Sequence, residues 1–310
     1  MKTTHRNYAD EMGDFNRLCR FIIDNNIQIR KHSTWCLGRF VDWKYGLWGD
    51  KLSQPGFWEK NAHLWFDGFG DLAGFAISED GGCDIAILTT AGFRFLFAEI
   101  LHWVLENWGQ REPALSIEIK ALQSLEARIL ESNGFERDAS FYTSHFDLTT
   151  DLVERYLLED GFHLKAMRTQ ADYRAQHLLR QNAFAGKTEI PEEEIERVLT
   201  LYSYSHESPI YHPETDLCVV APDGTFVAGC EALIDTHNLE ADIERVCTHS
   251  DYRRRGLARV VIQECLYRLS EMGMKSAYIT GYSEGAIALY GSLGADKRTE
   301  SYIYRQKIGA

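Results

Sequence analysis

Three arginines and a glycine, Arg253-Arg254-Arg255-Gly256, stand between an alternating run and an amphipathic one. Upstream, Asp242-Ile243-Glu244-Arg245-Val246-Cys247-Thr248 alternates polar and apolar residues, which predicts a strand. Downstream, apolar side chains recur at Leu257, Val260, Val261, Cys265, Leu266, Leu269 and Met272, predicting a helix of about four turns ended by Gly273. The basic segment therefore falls where a strand turns into a helix N-terminus. First-turn N–H groups have no intrahelical partner there, and the helix dipole adds partial positive charge. With arginines beside them, and a glycine that lets backbone approach a ligand, such groups suit a polyanionic phosphate. A solvated basic turn would carry the same charges; the strand–turn–helix context favours the anion site.

The second chemistry to look for is proton transfer. Period-two geometry places Asp242, Glu244, Val246 and Thr248 on one face of the predicted strand, so two carboxylates would share a cleft wall. Glu231, His237 and His249 are further proton acceptors near the same segment, although the parity of His249 turns it away from Thr248's face. No cysteine or histidine group has metal-ligand spacing, and no G-x-S-x-G elbow is present.

These residues need a scaffold. A chain of 310 residues with 45% hydrophobic and 25% charged residues predicts roughly two globular domains. The net charge of −13 argues against a general nucleic-acid or anionic-membrane binder and leans mildly towards a cationic substrate. Seven cysteines without a C-x-x-C pair, several of them inside apolar runs, predict buried reduced thiols. Met1 to Phe15 has no signal-peptide core, and the apolar stretch Phe93 to Leu105 is too short and too interrupted to span a bilayer, so a cytoplasmic protein is expected.

In order, the first half predicts a helix around Asp10–Asn25, then an aromatic-rich segment from Trp35 through Trp43 and Trp48 to Trp58 that reads as a helical layer on a sheet. A hairpin follows (His63–Phe66 and Leu72–Ile77), then strands at Asp84–Leu88 and Leu115–Ile119 alternating with helices at Phe93–Trp108 and Ser124–Ser132. A final alternating strand covers Phe141–Leu148. The second half repeats this order. Helices are predicted over Thr169–Asn182 and Pro191–Tyr202, a hairpin over Asp216–Val220 and Phe226–Ile234, and a strand over Ser276–Thr280. Leu72-Ala73-Gly74 answers Val227-Ala228-Gly229, Asp84-Ile85 answers Asp242-Ile243, and Ile129–Gly134 answers Leu289–Gly294, a period of about 155–160 residues. The predicted class is α/β (α+β): two copies of one fold, 1–150 and 151–310, each a mixed central sheet flanked by helices.

The second half resembles the GNAT superfamily of acyl-CoA-dependent N-acyltransferases. The resemblance rests on [QR]-x-x-G-x-[GA], here Arg253-Arg254-Arg255-Gly256-Leu257-Ala258, and on A-x-x-L-Y-x-x-x-G, here Ala286–Gly294 with Tyr290 at its centre. It is good from about Asp216 to Arg305 and poor over the helices before it. It implies acetyl-CoA as cofactor, with backbone groups of Val246, Cys247 and Thr248 pairing with the pantetheine arm as though it were a strand. It also implies that the backbone from Arg254 to Ala258 holds the pyrophosphate, helped by some of Arg253, Arg254 and Arg255. Tyr290 would protonate the departing thiolate, and a carboxylate on the central strand, Glu244 with Asp242 in reserve, or water, would take the amine proton. Ser283 stands where the family often has asparagine.

The first half lacks this equipment. Thr89-Thr90-Ala91-Gly92-Phe93-Arg94-Phe95-Leu96-Phe97-Ala98 keeps one glycine and one arginine in another spacing, and Leu130 takes the place of the tyrosine. It is expected to be a degenerate copy without a cofactor site. The leading function is acetyl transfer to a primary amine, with a small-molecule acceptor; the alternative is a non-catalytic acyl-CoA-binding sensor or scaffold.

Overall fold

In the computed structural model, residues 2–46 and 48–307 are described, without the side chains of 48–50, so Trp48 of the aromatic segment lies outside them. The strands and helices run β1 (Thr4–Asn7), α1 (Asp14–Asp24), α2 (Asn26–His32), α3 (Leu37–Tyr45), α4 (Phe57–Asn61), β2 (Ala62–Phe66), β3 (Leu72–Ser78), β4 (Asp84–Thr89), α5 (Leu96–Trp108), β5 (Ala114–Lys120), α6 (Ser124–Ser132) and β6 (Glu136–Asp147). They continue with β7 (His163–Ala166), α7 (Gln170–Ala185), α8 (Glu192–Ser205), β8 (Tyr211–Val220), β9 (Phe226–Asp235), β10 (Glu240–Thr248), α9 (Leu257–Glu271), β11 (Ser276–Gly281), α10 (Glu284–Gly291) and β12 (Lys297–Lys307).

Two compact units result, one of Met1–Phe141 with Thr299–Ala310, the other of Tyr142–Arg298. Strand order in the first is β1-β2-β3-β4-β5-β12, and in the second β6-β11-β10-β9-β8-β7. The alternating strand expected to close the first half therefore behaves differently beyond Phe141. Tyr142–Asp147 pair antiparallel with Gly281–Ser276 of β11, and it is the C-terminal strand, Ser301–Lys307, that pairs with β5. An alternating pattern announces a half-buried strand but not the sheet it joins.

Each unit repeats one motif, a strand, a helix and a parallel strand. In the first, β4 pairs parallel with β5; in the second, β10 pairs parallel with β11. The crossover helix of the second unit, α9, buries Leu257, Val260, Val261, Ile262, Cys265, Leu266 and Leu269. These pack on Leu217, Val219, Ala228, Cys230, Ala232, Ala241 and Ile243 of the sheet. The predicted stripe holds except at its end. Gly273, at φ +82°, turns the chain, Met272 stays at the surface, and Met274 takes the buried place. On the other face of this sheet, Met167, Leu179, Cys218, Val220, Phe226 and Cys247 form a smaller cluster under α7. The aromatics of the first unit behave as expected for a helical layer: Phe40, Trp43 and Phe57 are buried, and the Trp43 indole N–H donates to Ser78 O at 3.1 Å.

All seven cysteines are free thiols, five of them buried. Among the described residues no helix is long and apolar enough to cross a membrane. Because Leu269 is fully buried between helix and sheet, Leu269→Ala is expected to cost about 2–5 kcal/mol, read from denaturant unfolding of the full chain.

Candidate active site

The second unit contains a cleft of about 540 Å³ whose walls come from four places in the chain. Its floor is the end of β10: Val246, Cys247 and Thr248. The basic turn contributes Tyr252, Arg253, Arg254 and Gly256, and the first turn of α9 contributes Leu257, Ala258 and Arg259. One side wall is the C-terminal end of α7, Ala183 and Phe184; the other is α10 with its approach, Ser283, Gly285, Ala286, Leu289 and Tyr290.

The floor is open because two strands part. Parallel pairing of β10 with β11 covers Glu240–Ile243 against Ser276–Ile279, yet β10 runs on to Thr248. On its other side β10 stays paired with β9 but slips register between Glu244 and Cys247. Glu244 faces Glu231 and Cys247 faces Gly229, so β10 has one residue more than its partner over this interval, a bulge. Within it, Arg245 has φ +52°, a left-handed conformation that costs a non-glycine residue roughly 1–2 kcal/mol.

The bulge overturns the expectation that Asp242, Glu244, Val246 and Thr248 share a face. Beyond Glu244 the parity reverses. Val246 packs into the α9-side core with Ala241 and Ile243, whereas Cys247 joins the α7-side cluster. Strict period two cannot foresee this, since an inserted residue leaves no mark on an alternating pattern.

What holds the bulge is a buried ionic group on the α7 side. Arg245 Nη1 donates to Glu231 Oε2 at 2.9 Å, and Arg180 Nη2 donates to the same oxygen at 3.1 Å. Arg180 Nη1 also donates to the Tyr202 hydroxyl at 3.0 Å. Beside them, Asp216 accepts from Gln176 Nε2 at 2.6 Å and from the Tyr211 hydroxyl at 3.3 Å. Burial pushes Glu231 towards its neutral acid, but Arg245 and Arg180 outweigh it and hold the carboxyl below its ordinary pKa. As a committed ion-pair partner, Glu231 is a poor proton acceptor. For Asp216, burial dominates, the charge of Glu231 adds to it, and the pKa rises from 3.8 to about 7.

At the basic turn, left-handed residues at Arg254 (φ +65°) and Gly256 (φ +77°) reverse the chain. A Cβ on Gly256 would meet no protein atom within 4 Å, so within the protein the glycine serves its backbone conformation. No side chain caps the N-terminus of α9, and no acidic residue lies in its first turn. The turn is tethered to α7: Asn182 Oδ1 accepts from Ser250 N–H at 2.7 Å, and Arg253 Nη2 donates to Ala183 O at 3.1 Å. His249 accepts from Asp251 N–H at 3.3 Å and serves as a turn residue.

The three arginines part company. Arg253 and Arg254 line the cleft, and Arg255 does not. Arg255 Nε donates to Glu159 Oε1 at 3.2 Å and Nη2 to Oε2, with the guanidinium 4.9 Å from the Phe162 ring centroid and 5.3 Å from that of Tyr252. It pins the segment before β7 to the turn. Sequence spacing treats the three alike because only their side-chain directions differ. The cation that takes its place in the cleft is Arg259, one helical turn on, held by Ser292 through its carbonyl at 3.1 Å and its hydroxyl at 2.7 Å. Ala183, Phe184 and Gly285 also line the cleft without having been singled out by the motifs.

Tyr290 is only 6% exposed and still lines the cleft. Its ring passes over Gly281, where an added Cβ would lie 3.2 Å from both Cδ2 and Cε2. That glycine is thus a spatial requirement of the tyrosine. Burial, and after it the charge of Glu244, raises the phenol well above its ordinary pKa. Glu244 is therefore near enough to be felt, but neither Glu244 nor Asp242 is part of the cleft's lining; Glu244 is half-buried and Asp242 buried. Ser283 lines the cleft and caps α10, its hydroxyl accepting from Ala286 N–H at 3.2 Å.

Asp216 supplies a pH signature. Folding raises its pKa, so the protein takes up a proton on folding between about pH 4 and 7. The stability that this contributes is whole in acid and is lost as pH rises through about 7. Glu231 works in the opposite sense and loses its part only in acid. Asp216→Asn should flatten the loss of stability between about pH 4 and 7, measured as the change in Tm with pH.

Known proteins place this geometry. Residues 177–295 match the acetyltransferase (GNAT) family. Across the whole chain the fold is similar to that of a GCN5-related N-acetyltransferase from Sphaerobacter thermophilus, at 18% identity over 99% of this chain and 96% of that one, with a TM-score of 0.69. It is also similar to a tandem GNAT protein from the clavulanic acid biosynthesis pathway, at 12% identity over 100% and 99% of the two chains, TM-score 0.68. A GNAT-family acetyltransferase from Colwellia psychrerythraea aligns over 100% of both chains at 13% identity, TM-score 0.60. Among proteins of curated function none matches the chain in sequence. The cleft lies inside the segment that matches the acetyltransferase (GNAT) family, and the fold over the full chain is similar to that of a tandem GNAT protein.

Proposed function

We propose that the second unit transfers an acetyl group from acetyl-CoA to the primary amine of a small acceptor, by direct attack with both substrates bound. The observation that carries this is the parting of β10 from β11 beside an uncapped helix N-terminus, with Tyr290 across the gap. An amide-bearing arm can pair with the backbone of Val246–Thr248, and a pyrophosphate can sit on the N–H groups from Arg254 to Ala258 with Arg253, Arg254 and Arg259 nearby. The first unit, on this reading, is a GNAT-like copy without cofactor chemistry.

The amine nitrogen attacks the thioester carbonyl, the carbon–sulfur bond breaks, and the thiolate leaves. A phenol raised above a thiol's pKa of about 8.5 keeps its own proton at neutral pH, so Tyr290 stabilises the departing sulfur chiefly as a hydrogen-bond donor. The proton that the amine gives up passes to Glu244, which sets the local negative charge, through a water that spans its distance from the cleft. The acidic balance of the chain favours a cationic acceptor, and a cytoplasmic setting suits the free thiols.

Thiol release from acetyl-CoA, measured against a panel of small amines, tests this reading. Turnover with at least one amine is expected, and Tyr290→Phe should lower kcat by about 10² or more while leaving acetyl-CoA affinity nearly unchanged. Tight acetyl-CoA binding with no thiol release for any amine would instead make the unit a binding module. Glu244→Gln should lower kcat and move the acid limb of the pH profile; an unchanged profile gives the proton to solvent water.

A further inference from the structure

The first unit has a cavity of about 210 Å³ at the place where the second has its cleft. It lies past the point where β4 leaves β5, since pairing covers Asp84–Ile85 while β4 runs on to Thr89, and Ile87, Leu88 and Thr89 line it. The starts of α5 and α6 supply Arg94, Phe97, Gln123 and Glu126, and α2 supplies Ile29, His32 and Ser33. A nucleotide does not fit here. Arg94 is already engaged by a carboxylate, Nε to Glu126 Oε1 at 2.9 Å and Nη2 to Oε2 at 2.6 Å, and the volume falls below the ~300 Å³ at which drug-sized sites begin.

What the cavity lacks is a partner for His32. Its Nδ1 is buried and makes no hydrogen bond, a state that a buried polar atom does not adopt without cost. Two donors stand by: Gln123 commits its carbonyl to Lys120 N–H at 2.7 Å and keeps its amide hydrogens, and Ser33 accepts from Trp35 N–H at 3.0 Å and keeps its own. The charges acting on His32 are Arg94, Lys120 and Lys31 against Glu126 alone, an excess of positive sign. Of the rest of the lining, Ile29, Ile87, Leu88, Ala91 and Phe97 are apolar, and Gln28 and Thr89 are polar.

We propose that this cavity binds a small monocarboxylate with an apolar body, its carboxylate held by His32, Ser33 and Gln123. Binding carries a proton with it. Burial and Arg94 keep the free imidazole neutral, and a carboxylate against Nδ1 draws a proton onto it.

Calorimetry of the full chain with benzoate and butyrate, in buffers of different ionisation enthalpy, tests this, with benzamide as the neutral isostere. Saturable binding of a carboxylate is expected, with a heat that varies with the buffer as one proton is taken up and with benzamide at least tenfold weaker. Two variants report on the place: His32→Gln, which removes the titrating ring, and Ala91→Trp, which fills the cavity from an exposed position. Each should abolish the buffer-dependent heat at unchanged Tm. The proposal is overturned by an absence of saturable heat with both carboxylates, by benzamide binding as well as benzoate, or by benzoate binding equally to Ala91→Trp.

Discussion

Parallel pairing between β10 and β11 stops at Ile243, and what the second unit can bind follows from that stop. Past it, main-chain groups of β10 have lost the neighbour that a sheet would give them, and buried backbone polar groups do not go unpaired without cost. A strand that leaves its partner needs either solvent or a ligand with amides of its own. The bulge at Arg245 produces the departure, and the bulge is itself a strained object, kept in place because the Arg245 guanidinium finds Glu231 in the interior. The buried charges under α7 thus support the shape of β10 from the far side of the sheet.

Much of this was legible in the chain. The strand–turn–helix around Arg253–Ala258 is local, and local patterns survive folding: the predicted helix of α9 and the strands β9 to β11 are set by neighbours in sequence. The residues expected at the site, Val246, Cys247, Thr248, Arg253, Arg254, Gly256, Leu257, Ala258, Ser283 and Tyr290, line one cleft. What the pattern concealed was anything decided by a single extra residue or by a rotamer. The bulge reversed the faces of β10, Arg255 turned to Glu159, and Arg259, outside the motif, entered the cleft. β1 and β7, of four residues each, were too short to register as alternation. The exchange by which β6 and β12 serve units that their sequence positions do not suggest is a matter of long-range pairing, to which period-two spacing is blind.

The two units build different surroundings at the end of the same kind of strand. Both have a strand that outruns its parallel partner and two helices that begin near its end. In the second unit the first of these helices starts uncapped, with glycine before it and no acid in its first turn, so its positive end remains available. In the first, α5 and α6 both carry a glutamate in the first turn, and Glu126, 3% exposed, is matched to Arg94. An internal carboxylate there occupies the electrostatic role that an external phosphate would fill. Where the second unit has the glycine motif, the first has a buried glutamate matched to a partly exposed arginine.

The same reasoning constrains which arginine matters in the second unit. A surface ion pair such as Arg255 with Glu159 is worth on the order of 0–1 kcal/mol, yet its geometry removes Arg255 from the cleft and ties down the stretch leading into β7. Arg259 is restrained differently, by an uncharged carbonyl and hydroxyl of Ser292, so its charge is oriented but not neutralised. Arg253 is likewise held by the Ala183 carbonyl. Cations whose partners are neutral dipoles keep their field for a ligand, and those paired with carboxylates do not. In the described residues around the cleft, the positive potential therefore comes from Arg253, Arg254, Arg259 and the start of α9, and a diphosphate entering along the turn meets charge already positioned to receive it.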